Sequence, residues 1–251
     1  GRVGTEIARF LLPSQYELDG FELPETSLSD NFTRADADSL GTSSEGWSWV
    51  EFLGDIDIVS NRASKGLNNG HSWARADSNL STDDYYSQAL SQNPTATGGR
   101  LGTLVRKAAN ATETIYTAHQ LYDTDDQVVL KYITGTPTLL ATVDNLIGSG
   151  TAFTQKTEAN DSLIKGYVDG AQKNSVTDTA ITGNLQAGLF GFEDGTRALT
   201  WDDFLAADLS VLGTSPGIGY KDEATIHFFA LDQTKFVDLV NDRHKDLVNV
   251  I

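Results

Sequence analysis

Asp55 and Asp57 are spaced for chemistry. In an extended strand, residues two apart project from the same face, so the run Gly54-Asp55-Ile56-Asp57-Ile58-Val59 would present both carboxylates on one sheet surface. Two carboxyl groups about 5 Å apart can hydrolyse a glycosidic bond by double displacement, one as nucleophile and the other as acid/base. The next places along the strand hold Ser60 and Asn61. Neither of these is a carboxylate.

A gentler use of the same surface is binding. Exposed aromatic rings stack on the apolar faces of sugars while Asp and Asn take their hydroxyls. Trp47, Trp49, Trp73 and Tyr85, with Asp55 and Asp57, form the candidate carbohydrate-binding set. Tyr86, Tyr116, Tyr122 and Trp201 are further aromatics, although strands bury about half of their positions and packing is the default for each ring. Asp123, Asp125 and Asp126 cluster in one turn, where hard oxygen ligands suit Ca²⁺; a solvated hairpin turn is the plainer alternative. The four histidines are far apart, and there is no Gly-x-Ser-x-Gly elbow or Gly-rich phosphate loop. No other cofactor is implied.

The elements that position these residues read as strands. Strand signals recur about every ten residues from Trp47 to Leu209, with turn clusters between them and almost no helical periodicity, which argues for an antiparallel sandwich. Trp47 to Leu53 and Asp55 to Val59, divided at Gly54, read as a hairpin. Asp169-Gly170 is a two-residue hairpin turn signal. Leu199 to Leu209, with Asp202, Asp203 and Phe204, matches the opening segment around Asn31 and Phe32 and is expected to return beside it.

The 251 residues carry 35 acidic and 18 basic side chains, a net charge of −17, with 39% hydrophobic and 21% charged residues. This is a globular composition with no basic stripe, so no nucleic-acid partner is expected. Cysteine is absent, which excludes disulfides and thiolate chemistry. No apolar run approaches the roughly 18 residues that span a bilayer, and no membrane partner is expected.

Three segments follow. Residues 1–27 read as an N-terminal arm, with Val3, Ile7 and Phe10 suited to a pleated surface; residues 28–210 form the sandwich; residues 211–251 form an appendage. The appendage ends in an amphipathic helix whose stripe includes Phe236, Leu239, Val240, Leu247 and Ile251. Both terminal segments suit contacts with other subunits, by strand addition or helix docking.

The opening run, Asp30-Asn31-Phe32-Thr33-Arg34-Ala35-Asp36 followed by Ser39-Leu40-Gly41, Trp47 and Ile58-Val59-Ser60-Asn61-Arg62-Ala63, resembles the start of concanavalin A-like, laminin-G-like jelly-roll domains. The Asp202-Asp203-Phe204 strand resembles their last strand. Gly54 to Val59 likewise resembles the strand motif of the retaining β-glucanases that share this fold, with aspartate for the first glutamate and no last carboxylate. The resemblance implies an all-β jelly-roll sandwich of two antiparallel sheets. Because such domains occur in phage structural and bacterial surface proteins, it also implies a non-enzymatic decoration component at a virion surface or outside the cell. The expected partners are other particle subunits, including copies of this chain, and glycans. The competing expectations are a carbohydrate-binding module and an atypical glucanase.

Overall fold

The computed structural model describes residues 26–65, 70–93, 99–110, 112–122, 124–145, 147–148, 150–193 and 199–209. The arm, the appendage and its helix, with Val3, Ile7, Phe10, Phe236, Leu239, Val240, Leu247 and Ile251, lie outside the described residues.

Fifteen strands follow one another: β1 (Ser27–Asp30), β2 (Trp49–Leu53), β3 (Ile56–Ile58), β4 (Ala63–Lys65), β5 (Gly70–Ala76), β6 (Tyr85–Gln92), β7 (Arg100–Lys107), β8 (Ile115–Leu121), β9 (Asp126–Ile133), β10 (Thr136–Asp144), β11 (Ala152–Asn160), β12 (Leu163–Val168), β13 (Ala171–Thr177), β14 (Gln186–Glu193) and β15 (Thr200–Asp208). They form two antiparallel sheets. One has eight strands, in the order β13-β12-β11-β6-β15-β4-β3 with β1 also paired to β15; the other has seven, in the order β10-β9-β8-β7-β14-β5-β2. Among the described residues there is no helix. This is the jelly-roll sandwich that the strand rhythm predicts.

The opening and closing segments meet as expected, with Asp30 opposite Phe204. A bulge in β15 between Asp202 and Leu205, where Asp203 takes φ 46°, re-aims the strand. Phe204 is buried, with its ring 4.9 Å from Trp49 and 6.2 Å from Trp47. Asp169-Gly170 closes β12 onto β13 with both residues at positive φ (49° and 76°), the geometry of a type I′ turn.

The hairpin expected at Gly54 does not form. β2 pairs with β5 in the seven-stranded sheet, whereas β3 pairs with β4 in the eight-stranded sheet. Gly54, at φ 66°, carries the chain between layers so closely that a Cβ there would lie 2.1 Å from the His71 carbonyl oxygen. Only glycine tolerates that approach. The three-residue β4, too short to carry a pattern, is a strand the sequence does not announce.

The sheets differ in how they are covered. β6 and β12 alternate buried and half-buried residues, as in a sheet with one wet face, and Lys156, Glu158, Lys165 and Tyr167 line that face in a shared hydrogen-bonded network. β7, β8 and β14 are buried at almost every position. The main core lies between the layers, and a second cluster of Trp73, Leu104, Ile115, Val128, Leu130, Tyr132 and Phe190 stands on the seven-stranded sheet.

Candidate functional site

The second cluster is built by register. Residues directly opposite one another on paired strands share a face. Trp73, Phe190, Gly102, His119 and Val128 therefore form one row across β5, β14, β7, β8 and β9. His71, Phe192, Arg100, Leu121, Asp126 and Asp144 form a parallel row, which continues onto β10. Arg75, Gly188, Leu104, Thr117 and Leu130 form a third.

The sheet curls around these side chains. Trp73 and Tyr132 stand on strands four places apart, about 19 Å at the usual strand spacing, yet their ring centroids are 4.7 Å apart. Phe190 lies between them, 5.2 Å from Trp73 and 5.9 Å from Tyr132. It stacks on His119 at 4.5 Å with the ring planes 20° apart. Gly102, between Phe190 and His119 in the row, has no room for a side chain: a Cβ would lie 2.3 Å from the Ala118 carbonyl oxygen.

Trp73, Tyr132, Phe190 and His119 are buried and make a floor, whereas His71, Phe192, Arg100 and Leu121 are only partly covered. Phe52 extends the floor beside Trp73 at 5.9 Å, with the Lys107 ammonium 4.5 Å above its ring. The Arg100 guanidinium lies 4.9 Å over the Phe192 ring. The open row thus offers an aromatic face capped by a cation.

Polar groups of this face lack partners. Trp73 Nε1, His71 Nδ1, His119 Nε2, Arg100 Nε, Arg75 Nε and the Tyr132 hydroxyl are buried without a hydrogen bond, among the described residues. Each orphaned group costs about 1–3 kcal/mol, and native interiors hold few of them. These six lie beneath the open row, closed off from solvent by their neighbours.

Electrostatics keep the two histidines neutral. Burial, with Arg100 and Lys65 nearby, lowers His71 from 6.5 to about 4. Burial, Arg100 and His71 hold His119 well below its ordinary value. A neutral imidazole can both donate and accept. Burial raises the Tyr132 hydroxyl, with Arg100 opposing, so it stays protonated.

The residues expected from sequence are placed differently. Trp47, Trp49 and Tyr85 are core residues rather than sugar platforms. Trp49 donates from Nε1 to Asp30 at 2.8 Å, and the Tyr85 hydroxyl donates to the Gln186 carbonyl at 2.8 Å. Their period-two positions face the opposite sheet. Trp73 alone of that set stands on the aromatic face.

Asp57 lies on β3 in the other sheet, opposite Ser64, and Asp55 precedes that strand. Burial and the charges of Asp55 and Asp38 raise Asp57. Asp57 thus lies in the other layer from the aromatic rows, because Gly54 moves the chain across before it occurs, whereas Asp55 sits at the crossing with its N–H donating to Ser72 Oγ at 3.3 Å. Asp123 lies outside the described residues. Asp125 uses its positive φ of 56° to close the turn, and its carbonyl accepts the Asn145 N–H at 2.7 Å. Among the described residues no three acidic or histidine side chains gather to hold a metal.

Sequence reasoning missed His71, His119, Phe190, Phe192, Arg100 and Arg75. The available signal was the alternation His71-x-Trp73-x-Arg75 and Phe190-x-Phe192, within strands apolar on both faces.

Neither a family model nor a curated protein sequence matches this chain. Solved structures share its fold. A β-1,3-1,4-glucanase (lichenase) from a mouse hindgut metagenome is 12% identical, with a TM-score of 0.52, over 73% of this chain and 99% of that one. An endo-acting O-glycanase structure from human gut microbiota, described as initiating mucin breakdown, is 9% identical, with a TM-score of 0.52, over 72% and 98%. A galectin-like protein of unknown function from Bacillus subtilis is 9% identical, with a TM-score of 0.50, over 65% and 90%.

Proposed function

With the concanavalin A-like jelly roll as the premise, we propose that this chain is a carbohydrate-binding module, and that its ligand lies along the open row His71, Phe192, Arg100 and Leu121. The observation that carries this reading is the partly open row itself, where the Arg100 guanidinium lies 4.9 Å over the Phe192 ring and His71 stands beside it on one curled sheet face. Sugars present both an apolar ring face and a dense set of hydroxyls, and this face answers both. Solved proteins of the same fold that act on glycans support the reading at the level of fold.

Binding without hydrolysis is the form supported best. The carboxylates of the row, Asp126 and Asp144, sit at its far end on β9 and β10, and Asp57 belongs to the other sheet. The particle-assembly role expected from the terminal segments rests on residues outside the described ones, and no described surface adds to it.

A polysaccharide array probed with the full chain, with and without added calcium, tests the proposal. Retention on at least one polysaccharide is expected, without release of reducing sugar, and Phe192→Ala should weaken it about tenfold, near 1.4 kcal/mol. Silence across neutral and acidic polysaccharides alike would remove the binding role.

A further inference from the structure

The geometry points to an acidic glycan, one bearing carboxylate or sulfate groups, as the ligand of this face; the inference rests on the carbohydrate-binding reading and narrows it. The argument is one of hydrogen-bond polarity. A neutral sugar hydroxyl both donates and accepts, so sites for neutral sugars need acceptors such as Asp or Asn beside their donors. Here the partly open polar side chains are Arg100, which can only donate, and His71, whose imidazole donates as well as accepts. Among the described residues of β5, β14 and β7, no carboxylate or carboxamide joins them on that row.

Charge follows the same pattern. Across β5, β14 and β7 the face carries Arg75, Arg100 and Lys107, and by register no acidic side chain shares it. Arg75 and Lys107 are buried and donate to Gln186 and to the Ala108 and Asn110 carbonyls, so Arg100 is the cation within a ligand's reach. Glu193 ends β14 with the opposite parity to Phe192, and Glu51 on β2 turns away to accept the Leu40 and Ile56 N–H groups. Among the described residues acidic groups return at the margins, where Asp55 donates its N–H to Ser72 Oγ of β5 at 3.3 Å. Asp77 lies near Arg75, Glu113 near Tyr132, and Asp126 and Asp144 at the far end of the row. In a chain of net charge −17, a strip of three strands that is purely cationic on one face is a local reversal of sign. Arg100 is placed to use it, because its guanidinium is partly open and caps Phe192. A guanidinium takes a carboxylate or sulfate by two parallel hydrogen bonds, a geometry it does not find in a single hydroxyl. A uronate or sulfated sugar stacked on Phe192 would bring its anionic group to Arg100.

The test uses matched polymers and the full chain. Polygalacturonate is compared with its fully methyl-esterified form, and a sulfated galactan with its desulfated form, by affinity electrophoresis and calorimetry. The charged member of at least one pair should bind at least tenfold more tightly than its neutral counterpart, and the preference should shrink as sodium chloride rises. Arg100→Gln should abolish the preference while the melting temperature stays within a few degrees of wild type, and Arg100→Lys should keep part of it. Which pair responds distinguishes carboxylate from sulfate. Equal binding to charged and neutral members, or binding to neutral polymers alone, overturns the acidic-ligand inference and leaves the glycan reading standing. No binding to any polymer overturns both.

Discussion

Removing the Asp30 carboxylate tests the reasoning about the opening run, because its role here is structural. Asp30 is 1% exposed, and its oxygens accept from the Phe32 N–H at 3.1 Å, from Arg34 Nη1 and Nη2 at 2.8 and 3.0 Å, and from Trp49 Nε1 at 2.8 Å. In Asp30→Ala the Phe32 amide and the Trp49 indole N–H, both buried, lose their acceptor, at about 1–3 kcal/mol each. Arg34 is less affected: its side chain is 24% exposed, and it keeps the Leu40 carbonyl at 2.7 Å. The sum is a loss of about 2–6 kcal/mol, which spans the range of about 3–5 kcal/mol found when one member of a buried pair is removed. Asp30→Asn keeps one acceptor but sets an amide donor against Arg34 or Trp49, and should cost about 2–3 kcal/mol. Urea unfolding followed by tryptophan fluorescence reads both as a lower midpoint with an unchanged slope. With Arg34→Met in the background, the Asp30→Asn cost should shrink, since a cation no longer faces the amide. A loss below 1 kcal/mol for Asp30→Ala, or no coupling to Arg34, would refute this account of the corner.

Two further outcomes follow from the aromatic face. His71 and His119 titrate below their ordinary value of 6.5 in the folded chain, so the unfolded chain binds more protons as pH falls from 6.5 toward 4, and stability must decline across that window. Urea midpoints at pH 7 and pH 4.5 should differ less in His71→Leu/His119→Leu than in wild type; an equal difference would mean that the imidazoles are not buried as described. Gly102→Ala puts a methyl against the Ala118 carbonyl and His119, and should lower stability by about 2–3 kcal/mol in the same assay. A neutral effect there would place the β7–β8 register in error.

Much of the sandwich was legible because its information is local. Strands such as β6 and β12 announce themselves by alternation, and the Asp169-Gly170 turn by residues that tolerate positive φ. The match between Asn31-Phe32 and Asp203-Phe204 survives because both ends of one strand pair carry the same packing problem. The candidate site was not legible for the opposite reason. Its rows run through the consecutive β7, β8 and β9 and then onto β14 and β5, strands that are neighbours in the sheet and distant in the chain, so Trp73 and Phe190 meet with no local motif to say so. The tempting carboxylates failed at Gly54. A single glycine there carried Asp57 into the other layer and left Asp55 at the crossing, and periodicity along one segment cannot see a change of sheet.

The order of strands also governs when the domain can close. β14 sits between β7 and β5, and β15 between β6 and β4, so the last two described strands are the ones that complete the middle of both layers. During synthesis, each half-built layer must wait with an open seam until nearly the whole sandwich has left the ribosome, and such late, long-range closure is slow. A nascent chain stopped before Gln186 therefore leaves two gaps rather than one, with unpaired edges available to neighbouring copies.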